Sequence, residues 1–163
     1  MRVVASTEIA APIESVFAIA SDPERVLSFM SGITRWEVVG ARAQGLGARY
    51  RMLLRVGSAE VGGLIEIVEY VPPCDFAWTS VTGVDQRGRF RLRPRGPDRT
   101  RVELRLAYGV AGAGIGGWIA ERLASRMVAT HLRRTVRGLK RLVEYEQMRD
   151  RAATRRAART RPV

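Results

Sequence analysis

Three glycines of this 163-residue chain have the spacing of a dinucleotide-binding fingerprint. Gly112, Gly114 and Gly117 form G-x-G-x-x-G between a strand-like run and a helix-like run. A dinucleotide fold also needs a parallel strand after that helix and an acidic residue about 20 positions further on. No strand-like run follows, and residues 132–136 are Leu-Arg-Arg-Thr-Val within the helix. We therefore interpret the glycines as a hinge between the last strand and the helix, and expect no cofactor.

The other residue types that do chemistry are few. His131 is the only histidine, and no second histidine lies at a metal-binding spacing from it. Cys74 is the only cysteine, which excludes an intrachain disulfide and a cysteine-based zinc cluster. No nucleophile-elbow signature is present, and no two carboxylates have the spacing of an obvious acid/base couple. We expect an ordinary boundary histidine, a small buried cysteine, no metal and no evident catalytic constellation.

The charge of the chain is strongly positive, at +12, and only Lys140 among its 28 basic residues is a lysine. Residues 149–163 hold six arginines against one aspartate, a net charge of +5. Such a charge run is usually a solvated end of the chain. We predict a poorly ordered basic tail over 149–163, with weak contact to an anionic surface as the alternative, and one domain over 1–148.

The elements that must position these residues follow from hydrophobic periodicity. A helix is predicted after Pro12, with a second after Asp22-Pro23. Strands are predicted at Arg2–Ile9, Thr34–Val39, Arg49–Val56, Ala59–Val71 (with a bulge or bend at Gly62-Gly63), Phe76–Thr82, Gly88–Pro94 and Arg101–Tyr108, and a final helix at about Ile115–Met148.

Several of these strands alternate apolar residues with arginines. This pattern predicts an antiparallel sheet that is covered on one face and wet on the other. The wet face would carry few acids and a large set of arginines, namely Arg49, Arg51, Arg55, Arg89, Arg91, Arg93, Arg101 and Arg105. A basic nucleic-acid or anionic-membrane binding surface is therefore one hypothesis, although no recognition motif supports specific nucleic-acid binding.

The order β-α-α-β6-α, together with a set of local motifs, resembles the SRPBCC or START-like helix-grip superfamily and its bacterial polyketide cyclase/dehydrase and lipid-transport branch. The motifs are Ile9-Ala-Ala-Pro12, Val16-Phe17, Ser21-Asp-Pro-Glu24, Trp36, Gly45-Leu-Gly-Ala-Arg49, Tyr70-Val-Pro-Pro73 and Phe76-Ala-Trp78. The resemblance implies an α+β fold in which a seven-stranded antiparallel sheet curls around a long C-terminal helix. It also implies an apolar cavity that holds a hydrophobic ligand.

The candidate ligand-binding residues are the large side chains predicted to face inward. They are Trp36, Tyr50, Met52, Phe76, Trp78, Phe90, Tyr108, Trp118 and Arg122. The second half of the final helix has an apolar stripe of Val128, Leu132, Val136, Leu139 and Val143. Continued backward, that face carries Trp118, Glu121, Arg122 and Ser125, which we expect to look into the cavity. In the alternative, Ile119, Leu123 and Met127 face inward; left exposed, that line would favour a homodimer.

These observations lead to a ranked set of functions. The first is binding of a hydrophobic or aromatic, lipid- or polyketide-like small molecule by a cytoplasmic protein. The second is cyclase or dehydratase activity in the same cavity, with Tyr50, Tyr108 and Arg122 as candidates to polarise carbonyl groups. The basic-surface hypothesis is third.

Overall fold

The structure, a computed structural model, describes the backbone of residues 1–109 and 115–159, and the side chains of residues 1–109 and 125–159. The strands are β1 (Arg2–Ile9), β2 (Ile33–Val39), β3 (Arg49–Val56), β4 (Ala59–Val71), β5 (Asp75–Ser80), β6 (Gln86–Pro94) and β7 (Thr100–Tyr108). The helices are α1 (Ile13–Ala20), α2 (Val26–Phe29) and α3 (Ile115–Arg159).

The seven strands form one antiparallel sheet in the order β1-β7-β6-β5-β4-β3-β2. The first strand pairs with the last, and every other pairing joins neighbours in sequence. Helix α3 lies against the inner face of this curled sheet, mainly over β1. The predicted fold class is therefore confirmed. Because the described sheet contains no parallel pair, a dinucleotide-binding βαβ unit has no place in it.

The inner face carries the predicted alternation. In β3, Tyr50 and Met52 are buried while Arg49 and Arg51 are exposed, and β6 and β7 repeat the pattern. The apolar stripe of α3 is buried along its whole length. The predicted burial patterns of β3, β6, β7 and α3 are correct because each element has one face in water and one face in the core. Apolar residues then recur every two residues in a strand and every 3.6 residues in a helix.

Some boundaries differ from those predicted. Helix α2 begins only at Val26, because the Asp22 carboxylate accepts a hydrogen bond from the Glu24 amide (2.9 Å) in the preceding turn. The register shift in β4 lies between Ile67 and Glu69, against β5, whereas Gly62-Gly63 pairs with β3 without a shift. Cys74 is only partly buried.

Helix α3 continues past the predicted end at Met148 to Arg159, so residues 149–159 are helical where we expected a poorly ordered tail. Alanine and arginine are both good helix formers, and arginines near a helix C-terminus interact favourably with its dipole. The Thr154 hydroxyl also donates to the Asp150 carbonyl at 2.9 Å. The side chains of this extension are exposed.

One end of the interior is filled by aromatic rings. Phe76 and Phe90 stack at 4.9 Å between ring centroids, and Phe17 meets Phe76 edge-on at 5.8 Å. The apolar side chains of Leu139 and Val143 on α3 are fully buried in the same cluster. This end is a close-packed core.

Candidate functional site: a cavity at one end of the sheet

The inner face of the sheet borders a cavity of about 870 Å³, which we call the open cavity. Its apolar wall consists of Met52, Leu54, Val56, Val61, Val84, Leu106, Tyr108 and Val128. Gly62, Gly83, Gly109, Glu60, Asp85 and Gln86 complete the described lining. A mostly apolar, concave surface of this size with a few polar groups is typical of small-molecule sites.

The antiparallel topology brings these residues together. The end of β3 and the start of β4 are joined by a tight turn, and the end of β7 pairs with the start of β6, where Tyr108 faces Gln86. The loop between β5 and β6, which contains Gly83 and Asp85, lies at the same end of the sheet. Residues far apart in sequence therefore form a single wall.

The acidic groups of the lining belong to its exposed rim. Glu60 pairs with Arg55 at 3.1 Å, and hydrogen bonds from Thr34 and Arg55 lower the pKa of its carboxyl. Asp85 is exposed, and its backbone carbonyl accepts from the Gly109 amide at 2.9 Å. Both carboxylates can stay hydrated, so the deeper wall is the part that offers a ligand an apolar environment.

A smaller hollow of about 30 Å³, which we call the inner pocket, lies deeper between the sheet and α3. It shares Met52, Leu54, Gln86 and Leu106 with the open cavity. Its other lining residues are Met30, Ser31, Ile33, Trp78, Leu104, His131, Leu132 and Thr135. This volume is enough for about one water molecule or the terminal atoms of a ligand.

Two buried polar side chains at the inner pocket are poorly satisfied. The indole nitrogen of Trp78 has no hydrogen-bond partner within the described part of the chain, although the residue is only 7% exposed. Gln86 is 8% exposed, and its amide nitrogen contacts only the sulfur of Met52, at 3.6 Å. A thioether is a weak acceptor. Native proteins satisfy nearly all buried polar groups, so the unpartnered indole nitrogen of Trp78 is unusual, whereas the Gln86 amide makes a weak hydrogen bond to sulfur.

Gly88 allows Trp78 to occupy its position. The indole lies over Gly88 so closely that a Cβ there would be 1.9 Å from Cζ2 of Trp78 and 2.1 Å from Cε2. Cε2 is bonded to the indole nitrogen, and Gly88 is two residues from Gln86 on the same face of β6. The edge of the indole that carries its N–H therefore lies against Gly88.

A polar cluster of Ser31, His131 and Thr135 connects α3 to the segment after α2. The Ser31 hydroxyl shares a 3.0 Å hydrogen bond with Nδ1 of His131, and the Ser31 amide donates to the Thr135 hydroxyl at 3.0 Å. Gly32 has a φ of +85°, and a Cβ there would lie 2.6 Å from the imidazole. Burial, and next the positive charge of Arg134, lower the pKa of His131, so its neutral form is favoured at pH 7.

The structure places three of the predicted ligand-binding residues at these walls. Met52 borders both hollows, Trp78 borders the inner pocket and Tyr108 borders the open cavity. Sequence reasoning missed Gln86 at the start of β6, because it begins that strand at Gly88. It also treated His131 as an ordinary boundary residue. Gln86 pairs with Tyr108 across β6 and β7. Extending the predicted β6 back to Gln86 would have shown a single polar residue on the inward face, opposite Tyr108.

Four predicted residues lie instead in packed structure away from the described lining of both hollows. Phe76 and Phe90 pack against each other in the aromatic core. Trp36 stacks on Tyr50 at 4.6 Å, and the Tyr50 hydroxyl donates to the Ala43 carbonyl at 2.8 Å. Burial raises the pKa of Tyr50 to about 12. These rings face inward as predicted, but they pack against one another and against the backbone rather than lining a hollow.

Some predictions fall outside the described residues. The side chains of Trp118 and Arg122, with those of Ile119 and Leu123, are not among those described, and neither are residues 110–114 of the glycine-rich segment. Gly117 lies in the first turn of α3. Met127 is 38% exposed, which puts this member of the predicted line on the surface.

The outer face of the sheet is a network of ion pairs. Asp75, 8% exposed, lies within 2.9 Å of Arg93, 3.3 Å of Arg91 and 3.9 Å of Arg89. The other ion pairs of the predicted wet-face arginines are Arg49–Glu66, Arg51–Glu37, Arg55–Glu60, Arg89–Glu69 and Arg105–Glu103. We expected few acids to relieve this charge; neighbouring strands supply most of them, and Glu103 pairs with Arg105 within β7.

Two other depressions have charged walls. One, of about 800 Å³, follows the exposed α3 extension beside Arg151, Arg155 and Arg159. The other, of about 560 Å³, lies on the outer face among Arg2, Arg87 and neighbouring arginines. Among the residues described, no three potential metal ligands cluster. In the same part of the chain, no helix is long and apolar enough to cross a bilayer.

A curled seven-stranded antiparallel sheet with a long C-terminal helix and a hollow between them defines a helix-grip, START-like protein. The sequence agrees with that class. Residues 1–144 match the family described as polyketide cyclase / dehydrase and lipid transport, and the chain belongs to this family. No curated protein matches the sequence significantly.

Solved structures show the same fold. The protein TTHA0849 from Thermus thermophilus is similar at 25% identity with a TM-score of 0.77, over 88% of this chain and 97% of that one. The Zhui aromatase/cyclase from Streptomyces sp. R1128 has 16% identity and a TM-score of 0.74, over 88% and 93% of the two chains. A START superfamily protein from Mycobacterium smegmatis has 19% identity and a TM-score of 0.67, over 88% and 97%.

Proposed function

We propose that this protein binds an apolar or aromatic small molecule in the open cavity. The observation that carries the proposal is the unfilled volume of about 870 Å³ beside an otherwise close-packed core. Family membership supports it, because the family description includes lipid transport and polyketide chemistry. The outer arginines support a surface function less well, since most of them are held in ion pairs.

The expected affinity is modest. Burial of roughly 300 Å² of apolar ligand surface at about 25 cal/mol per Å² contributes roughly 7 kcal/mol. The loss of translational and rotational freedom on association opposes this gain, so dissociation constants in the micromolar range are expected.

The binding proposal is tested by filling the cavity. Val128 is 4% exposed on α3 and forms part of the cavity wall. In the Val128→Phe variant, the larger side chain occupies the space that a ligand would take. We expect the affinity for N-phenyl-1-naphthylamine, a neutral fluorescent probe, to fall at least about tenfold, because about 1.4 kcal/mol of burial is lost.

The matched control is Leu27→Phe, which adds a ring to a side chain that is 56% exposed on α2 and lies outside the cavity lining. This variant should bind the probe like the unmodified protein. Equal loss of affinity in both variants, or no effect in either, would contradict the proposal. Native mass spectrometry of protein purified from its own cells then identifies a co-purifying molecule.

A second function, cyclisation or dehydration of a polyketide-like substrate, is favoured by one observation. His131, with its lowered pKa, lies on the wall of the inner pocket. A neutral imidazole can accept the acidic proton between two carbonyl groups. If this activity exists, His131→Gln should abolish turnover of a synthetic poly-β-ketone, followed by mass spectrometry, and leave binding of N-phenyl-1-naphthylamine intact. Unchanged turnover would remove His131 from the chemistry.

A further inference from the structure

The side of helix α3 that faces away from the sheet is strongly basic. Between residues 125 and 159 the helix carries eleven cationic side chains. At about 100° per residue, all of them fall within about half of the helix circumference, opposite the apolar stripe that packs on the sheet. We call this half the basic face; its cations are Arg126, Arg133, Arg134, Arg137, Lys140, Arg141, Arg149, Arg151, Arg155, Arg156 and Arg159. All of them except Lys140 are exposed.

The acidic residues of α3 do little to neutralise this face. Glu144 pairs with Lys140 at 3.1 Å. Glu146 pairs with Arg25 beside α2, and Asp150 lies on the side of the helix that continues the apolar stripe. Where side chains are described, five exposed arginines of the basic face take part in no ion pair, namely Arg126, Arg133, Arg134, Arg137 and Arg141.

The basic face differs in this respect from the outer face of the sheet. There, carboxylates on neighbouring strands pair with most of the arginines, as Asp75 does with Arg91 and Arg93. Like charges that stay unpaired on one surface repel one another and produce a positive potential. A partner with many negative charges would relieve this repulsion, so the basic face is suited to a polyanionic surface.

Two features favour a lipid surface over a small anion or a nucleic acid. From Arg126 to Arg159 the basic face is about 50 Å long at 1.5 Å per residue, so a small anion can contact only part of it. Three exposed apolar side chains lie among its cations, namely Met127 (38% exposed), Tyr145 (54%) and Met148 (62%). On a bilayer, cations meet lipid phosphates while apolar side chains enter the headgroup region. The phosphate backbone of a nucleic acid offers these side chains no such environment.

We propose that the basic face of α3 docks the protein onto the surface of an anionic lipid bilayer. The helix then lies along the bilayer plane, and the sheet, which packs on the opposite side of the helix, faces away from the lipid. Val128 of the cavity wall belongs to the buried stripe and not to the basic face. The inference therefore concerns a separate surface and does not depend on a ligand in the open cavity.

Co-sedimentation with large unilamellar vesicles tests the proposal. The vesicles contain either phosphatidylcholine alone or equal parts of phosphatidylcholine and phosphatidylglycerol. The unmodified protein should sediment with the anionic vesicles and stay in solution with the neutral ones. Binding should weaken as salt is added, because exposed charges are screened over about 8 Å at physiological ionic strength.

A triple variant removes three of the unpaired arginines, through Arg133→Gln, Arg137→Gln and Arg141→Gln. Each arginine close to an anionic membrane surface contributes about a fivefold gain in affinity, so this variant should bind the anionic vesicles about a hundredfold more weakly. Its thermal midpoint should match that of the unmodified protein, because the three side chains are exposed and make no ion pair within the described residues.

The matched control removes three arginines from the outer face of the sheet, through Arg2→Gln, Arg87→Gln and Arg101→Gln. These side chains are also exposed and make no ion pair among the described residues, and the net charge changes equally. Because they lie on the other side of the molecule, vesicle binding should fall by no more than about threefold. An equal loss in the two triple variants would show attraction by net charge alone and would overturn the inference.

A further variant, Tyr145→Ser with Met148→Ser, tests the apolar part of the face. It should bind the anionic vesicles at least about fivefold more weakly, because two apolar side chains no longer enter the headgroup region. Polyuridylate at the same ionic strength is the competing partner. Tighter binding to polyuridylate than to the vesicles, unaffected by the two serines, would assign the face to a nucleic acid. That result, or failure of the unmodified protein to bind anionic vesicles, overturns the inference.

Discussion

The two ends of the interior are built from the same sheet and the same helix, yet one is filled and the other is hollow. At the filled end, Phe76, Phe90 and Phe17 meet ring to ring beneath Leu139 and Val143. At the hollow end, the helix presents Val128 to a wall of mainly aliphatic side chains and glycines, in which Tyr108 is the one aromatic ring of the described lining. The difference lies in side-chain volume rather than in backbone topology. A cavity in this fold is therefore a property of a few residues and can be closed or enlarged by substitution.

The largest expected effect comes from truncating equivalent leucines at the two ends. Leu92 is fully buried in β6 in the filled core, whereas Leu106 of β7 forms part of the cavity wall. Leu92→Ala should lower the free energy of unfolding by about 2–5 kcal/mol, because close packing leaves a new void. Leu106→Ala should cost only about 1–2 kcal/mol, since its methyl groups already border empty space.

Urea unfolding of both variants measures the difference. Equal costs would mean that the hollow end is packed in solution, and the comparison between the two ends would fail.

The next effect is expected at the boundary between the two ends. Gly88→Ala places a Cβ against the Trp78 indole, 1.9 Å from Cζ2. We expect a loss of about 1–3 kcal/mol through overpacking, together with displacement of the indole, visible as a shift in tryptophan fluorescence. The Gly88→Ala/Trp78→Ala double variant should be less destabilised than the two single changes added together. Simple additivity would show that Gly88 does not serve to accommodate Trp78.

The smallest effect concerns pH. Burial and Arg134 lower the pKa of His131, so the folded protein binds fewer protons at this site than the unfolded chain. Stability from this site is present above the unfolded value of about 6.5 and decreases as the pH falls below it, with a slope of at most about 1.4 kcal/mol per pH unit. His131→Gln should remove that part of the slope between pH 7 and 5 in urea titrations. An unchanged slope would assign the acid sensitivity to other groups.

Much of this architecture could be predicted from the sequence. Period-two alternation in β3, β6 and β7 identified the sheet, and the stripe from Val128 to Val143 identified the face of α3 that packs against it. Both patterns show which side of an element is buried, and this can be predicted from residues that are close together in the sequence. The ion pairs of the outer face were underestimated because partners such as Asp75 and Arg93 meet only across strands.

The cavity itself could be predicted only in part. An inward-facing ring can line a hollow or fill it, and alternation does not distinguish these cases. Phe90 and Tyr108 have the same periodicity, yet Phe90 is stacked in the core and Tyr108 borders the cavity. Whether a ring meets another ring depends on strand register and sheet curvature, which involve contacts between residues distant in sequence.

The unbroken length of α3 has a practical consequence. From Val128 at the cavity wall to Arg159, the helix runs through 31 residues, or about 47 Å at 1.5 Å per residue. Its last turns lie near Ala10 and Asp98, at the end of β1 and β7 opposite Tyr108. A fluorophore or immobilising tag attached near Arg159 would thus lie at a fixed distance from the open cavity, which makes that position suitable for a distance-based optical test of whether the cavity is occupied.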